Sequence, residues 1–131
     1  MTSETPIRAL RSAADLDHAL ERSRTRPLLI FKNSLTCGTS AVAFDELHDH
    51  LAEGPREVDY AIVTVQTDRE VSNAVAARLH VRHETPQVLL VRDGRVEWSV
   101  THHRVTADEL SRALARWPVQ PPRLTTTPTG S

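Results

Sequence analysis

One cysteine stands in the whole chain of 131 residues, Cys37. A single cysteine excludes an intrachain disulfide, a CxxC redox pair and an all-cysteine structural metal site. If Cys37 does sulfur chemistry, its partner sulfur must come from another molecule. Lysine is nearly missing as well: of 16 basic residues, only Lys32 is lysine. That bias reads as codon usage rather than function, although arginine suits anion recognition. Charge of one sign is absent too. The formal net charge is -1, which argues against nucleic-acid binding driven by overall positive charge. No apolar run approaches the length that spans a bilayer, so no membrane partner is expected. Met1 to Pro6 is polar and is not followed by a signal-type apolar stretch, so the expected compartment is the cytoplasm.

What is present suffices for one domain. Hydrophobic residues make up 39% and charged residues 25%, enough for one modest core and too apolar for a disordered chain. Ile7 to Leu10 reads as a short edge strand. Ser12-Ala13-Ala14-Asp15 has the form of a capping box and opens a helix over Ala13 to Arg24. Leu28 to Phe31 is wholly apolar, as a strand buried on both faces requires. Val42, Ala43, Phe44, Leu47 and Leu51 form a helical stripe that Gly54-Pro55 ends. Tyr60 to Val65 is β-branched and reads as a second buried strand. Asp68 is the expected cap of a third helix carrying Val71, Val75 and Leu79. Asp93-Gly94 between two apolar runs signals a hairpin. Thr106 to Glu109 is a full capping box, and Leu110, Ala113, Leu114 and Trp117 line the last helix. Pro118 to Ser131 has no apolar periodicity and is expected to be a disordered tail. The order predicts an α/β fold: a mixed four- or five-stranded sheet with helices on both faces.

Cys37 falls just after a buried strand, where an amphipathic helix begins. Unpaired N–H groups and the positive end of the helix dipole favour a thiolate there. Thr36, Thr39 and Ser40 supply hydroxyls, and Ser40 stands where a CxxC motif would place its resolving cysteine. Free cysteines usually serve as small buried hydrophobes. This one is flanked by polar residues and lies outside every apolar stripe, which favours a reactive role. Thr85-Pro86 precedes the strand from Gln87, a position proline tolerates.

The seven histidines form no zinc pattern, so no metal site is expected. Most read as surface residues, and His48 and His50 point to different helix faces. His83 and His102 are the candidates to stand near the sulfur. Lys32 is either a solvated strand end or a cation supporting the thiolate. Arg82 and Arg104 are candidates to pair with a carboxylate. Core packing accounts for Trp98 and Trp117.

Strand, cysteine at a helix start, then Thr-Pro before a hairpin together resemble the thioredoxin fold, three-layered, over residues 1–117. That resemblance implies a cis Pro86 packed beside Cys37, with the Thr85 backbone pairing with bound substrate as a short strand. A narrower resemblance lies in Leu29 to Cys37, in Val71 to Ala76, in Val81 to Leu90, and on through Asp93-Gly94 to Thr106. These segments look like the monothiol, YtxJ-like bacilliredoxin-type family, which acts with the small thiol bacillithiol. The chain departs from that family's TCPIS-like loop in Gly38, and has His103 where an aromatic residue is usual. The resemblance implies a thiol–disulfide oxidoreductase with catalytic Cys37, with Thr36, Gly38, Ser40, Thr85 and Pro86 as thiolate support and docking residues. It implies no bound cofactor, bacillithiol as co-substrate, S-thiolated proteins as substrates, and an external reducing thiol or reductase. Arg82 and Arg104 would meet the malate carboxylates of bacillithiol. Cys37-Gly38-Thr39-Ser40 also resembles the CGFS loop of monothiol glutaredoxins that carry a [2Fe–2S] cluster. A non-catalytic binding module is the third reading.

Overall fold

The chain's structure, a computed structural model, describes residues 7–54 and 56–116. Along it run β1 (Ile7–Ala9), α1 (Ala13–Arg22), β2 (Leu28–Asn33), α2 (Gly38–Leu51), β3 (Asp59–Thr64), α3 (Arg69–Leu79), β4 (Gln87–Arg92), β5 (Arg95–Thr101) and α4 (Ala107–Arg116). The strands make one five-stranded sheet in the order β1-β3-β2-β4-β5. β1 and β2 run parallel to β3. β4 is antiparallel to β2, and β5 to β4.

β2 sits at the centre, which is why Leu28 to Phe31 can be apolar without alternation. The pleat divides these residues between two cores. Leu29 and Phe31 pack with Ala43 and Leu47 of α2 and with Leu110 and Leu114 of α4. Leu28 and Ile30 pack with Leu16 and Ala19 of α1 and with Val71, Val75 and Leu79 of α3. The result is three layers, helix–sheet–helix, each helix burying one apolar stripe against one sheet face. The sheet is the five-stranded form of the expected architecture.

Local chemistry sets the element ends. Ser12 caps α1, its hydroxyl accepting from the Asp15 N–H at 3.1 Å. Thr106 does the same for Glu109 at the start of α4, at 3.1 Å. Asp93 and Gly94 both adopt positive φ, as a tight hairpin turn requires. Two expectations need correction. α1 ends at Arg22 rather than Arg24: the N–H groups of Arg24 and Thr25 bond three residues back, tightening the chain ahead of Pro27. Asp68 occupies the cap position of α3 but makes no side-chain cap bond; its carboxylate instead accepts from the Thr67 hydroxyl at 3.1 Å. A 3-10 turn over His102–Arg104 was not foreseen. Trp117 and the tail Pro118 to Ser131 lie outside the described residues.

Strand direction gathers four loops. The C-terminal ends of β2, β3 and β5 and the N-terminal end of β4 share one edge of the sheet. The segments 34–37, 65–68, 82–86 and 102–104 therefore emerge together there.

Candidate functional site

Cys37 occupies the N-cap position of α2, half-buried, in an extended backbone conformation. Its carbonyl accepts the N–H groups of Ser40 and Ala41 at 3.1 and 3.2 Å, closing the first turn. The cysteine pKa lies below its ordinary value. The largest cause is the Ser40 backbone N–H, followed by an opposing desolvation, then the Thr39 N–H and the hydroxyls of Ser40 and Thr39. Hydrogen bonds to the charged form favour the thiolate, and no charged side chain stands among these causes.

Ser40 is completely buried. Its oxygen accepts the Ser34 N–H at 3.3 Å, which leaves its own proton for the sulfur. Residue 40 thus joins the loop before the helix to the thiol. Thr36 is placed differently from expectation. Its hydroxyl accepts from Gln66 Nε2 at 3.3 Å and lies 3.4 Å from Ser34 Oγ. Gly38 is exposed, and a Cβ added to it would meet nothing within 4 Å. A side chain there fits the fold.

Sequence reasoning missed Gln66. From just beyond β3 it accepts the Leu35 N–H at 2.9 Å and donates to Ser34 Oγ at 2.8 Å. With the Thr36 contact, one amide side chain fixes three successive residues ahead of Cys37. An isolated Gln in a polar loop gives no periodic or motif signal, so only the parallel pairing of β2 and β3 reveals it.

The Thr85-Pro86 bond is cis. The Pro86 carbonyl accepts the His102 N–H at 3.0 Å, joining the two loops that flank the hairpin. His102 Nδ1 lies 3.7 Å from Glu84 Oε1. Arg82 is exposed, and its carbonyl accepts from Gln87 Nε2 at 3.0 Å. Arg104 is exposed on the 3-10 turn.

Lys32 is no solvated strand end. It is wholly buried, facing away from Phe31 and toward α3. Nζ lies 2.7 Å from His83 Nδ1 and donates to the Ser72 carbonyl at 3.4 Å. Burial lowers its pKa to about 8. His83 is held below the usual imidazole range by desolvation, then by the Lys32 and Arg69 cations, with Glu84 opposing. The structure therefore pairs Lys32 with His83, and neither figures among the causes acting on Cys37.

His50 also departs from the surface reading. It is fully buried, with Nε2 2.8 Å from the Tyr60 hydroxyl and Nδ1 2.9 Å from Ser111 Oγ. Ser111 in turn donates to Glu53 at 2.6 Å. This network ties α2 to β3 and α4. Desolvation first, then the Arg56 cation, lowers the His50 pKa to about 4, against a pull from Glu53.

The fold recurs in solved structures. One described as a candidate oxidoreductase with a thioredoxin fold matches with a TM-score of 0.72 and 28% identity, covering 82% of this chain and 92% of that one. Fasciola hepatica thioredoxin matches with a TM-score of 0.67 and 20% identity, covering 84% and 98%. Malassezia sympodialis thioredoxin matches with a TM-score of 0.69 and 13% identity, covering 88% and 94%. Among the described residues no helix is long and apolar enough to cross a membrane. A sequence profile of the monothiol bacilliredoxin BrxC family matches residues 8–110. With its thioredoxin fold and lone cysteine at a helix start, the chain belongs to the monothiol bacilliredoxin BrxC family of thiol redox proteins.

Proposed function

We propose that the chain removes a low-molecular-weight thiol, bacillithiol, from protein mixed disulfides through Cys37. The observation that carries this reading is a lone cysteine at the N-cap of α2, its thiolate favoured by donors from Ser40 and Thr39. Family membership supports thiol redox chemistry.

The step balances as one exchange. The Cys37 thiolate attacks the bacillithiol sulfur of the mixed disulfide. A new sulfur–sulfur bond forms to Cys37, the old one breaks, and the protein cysteine leaves as a thiolate that takes a proton from solvent. Ser40 offers no second sulfur, so Cys37 keeps the small thiol. A second thiol, from solution or from a reductase, then attacks that disulfide and restores the Cys37 thiolate. In this reading Thr85-Pro86 docks the substrate backbone, and the exposed Arg82 and Arg104 offer partners for the small thiol's carboxylates.

The half-cycle supplies the test. With a bacillithiolated protein and no reductant, substrate reduction stops at one equivalent per Cys37. Adding free bacillithiol or a reductase restores turnover. Sustained turnover without any added thiol would contradict the monothiol mechanism.

A further inference from the structure

A lysine at the centre of a sheet is an expensive choice unless it is partnered. Lys32 lies in central β2 and is fully buried. Its closest partner comes from outside the sheet: His83, in the segment that runs from α3 into Thr85-Pro86. The second contact is the Ser72 carbonyl on α3, and the Ser72 hydroxyl lies 3.4 Å from the same His83 nitrogen. Gln87 stands directly opposite Lys32 in the antiparallel ladder, also buried, its Nε2 spanning back to the Arg82 carbonyl. Polar groups from β2, α3 and β4 thus converge on one loop, at both its Arg82 and its His83 positions.

We propose that Lys32 is a positioning residue for the Thr85-Pro86 docking segment, acting through His83. Its ammonium donates to Nδ1 of a neutral imidazole and so fixes residues 82–86 against the end of β2. The inference rests on the reading of Thr85-Pro86 as the segment that docks substrate. The charged neighbours of the pair are Arg69 from the start of α3 and Glu84 from the loop itself; β3 offers only Val63 opposite Lys32. A methionine would fill the same space without the donor, and because the imidazole is neutral and keeps the Ser72 hydroxyl as a neighbour, no unpaired buried charge is left behind.

The experiment compares wild type, Lys32→Met, His83→Ala and the double variant. Amide hydrogen exchange at His102, whose N–H is bonded to the Pro86 carbonyl, is expected to quicken about tenfold in each single variant, because a loosened 82–86 segment opens that bond more often. kcat/KM on a bacillithiolated protein is expected to fall about tenfold, chiefly through KM. The double variant is expected to be no worse than either single one. Alkylation of Cys37 by iodoacetamide stays at the wild-type rate. Imidazole NMR titration shows the His83 pKa rising in Lys32→Met. Unchanged His102 exchange in both single variants, additive effects, or an equal loss of Cys37 alkylation would overturn the proposal. If Lys32→Met does not fold, His83→Ala decides by the same amide exchange, since its side chain is on the exposed side. If wild type does not turn over at all, the bacillithiol reading fails, while the amide exchange still decides the role of Lys32.

Discussion

Ser40 stands one helical turn beyond Cys37, fully buried, accepting the Ser34 N–H with its oxygen and favouring the Cys37 thiolate with its proton. The residue that a dithiol protein would use for resolution is used here to hold the reactive loop and charge the sulfur. Replacing it by alanine removes the side-chain donor and keeps the backbone one. Ser40→Ala is expected to raise the Cys37 pKa, read as thiolate ultraviolet absorbance against pH, and to slow alkylation at neutral pH. An unchanged titration would show that the backbone donors alone set the thiolate.

Ser40→Cys tests the same relationship from the other side. A second thiol at this position recreates the CxxC spacing, in which the two sulfurs can bridge. After reaction with a bacillithiolated substrate, intact mass is expected to show an internal disulfide and released bacillithiol rather than a stable adduct. A persistent adduct would mean that the loop geometry keeps the two sulfurs apart.

Gln66 makes the next prediction. Its amide binds Leu35 N–H, Ser34 Oγ and Thr36 Oγ1. These bonds are exposed, so Gln66→Ala is expected to destabilise the fold by only about 1 kcal/mol. The loop ahead of Cys37 loses its tether, and kcat/KM is expected to fall about tenfold. Denaturant midpoints and single-turnover rates read the two effects separately. Loss of stability without loss of rate would assign Gln66 to the fold alone.

His50 gives the fold a pH signature. Its pKa is about 4 in the folded chain, below the ordinary 6.5. The neutral ring is the form the Tyr60 and Ser111 hydroxyls accommodate, so an unfolded chain takes up a proton first as pH falls. The contribution is complete above about 6.5, declines as pH drops, and levels off below about 4. That difference is worth about 3 kcal/mol. Urea midpoints measured from neutral pH down to about 4 check it. His50→Phe is expected to flatten that decline, and a decline equally steep in the variant would place its origin elsewhere.

Much of this was legible in the sequence for a physical reason. Wholly apolar Leu28 to Phe31, the helical stripe of Val71, Val75 and Leu79, and the Asp93-Gly94 turn each report a local rule that the fold obeys. Cys37 was legible because polar neighbours surround it where a helix must start. The buried polar groups were not. Lys32 and His50 carry no burial signal of their own, because lysine is mostly exposed and histidine is found on either side of the surface. Their burial depends on partners 51 and 61 residues away, His83 and Ser111. The role of Gln66 likewise depends on a strand pairing, not on its neighbours in the chain. Asp68 shows the converse: a good cap residue in the right place bonds Thr67 instead.

The [2Fe–2S] reading suggested by Cys37-Gly38-Thr39-Ser40 has its own outcome. Anaerobic reconstitution with iron and sulfide is expected to leave the chain colourless. A brown product whose visible absorbance is lost in Cys37→Ala would make cluster binding a property of this loop.

Whether Cys37 itself accepts the small thiol is decided by following its transfer. A bacillithiolated protein is mixed with the reduced chain, and both intact masses are followed. The substrate is expected to lose one bacillithiol and the chain to gain one on Cys37, while Cys37→Ala gains none. A chain that stays unmodified while a dithiol redoxin reduces the same substrate would contradict that transfer.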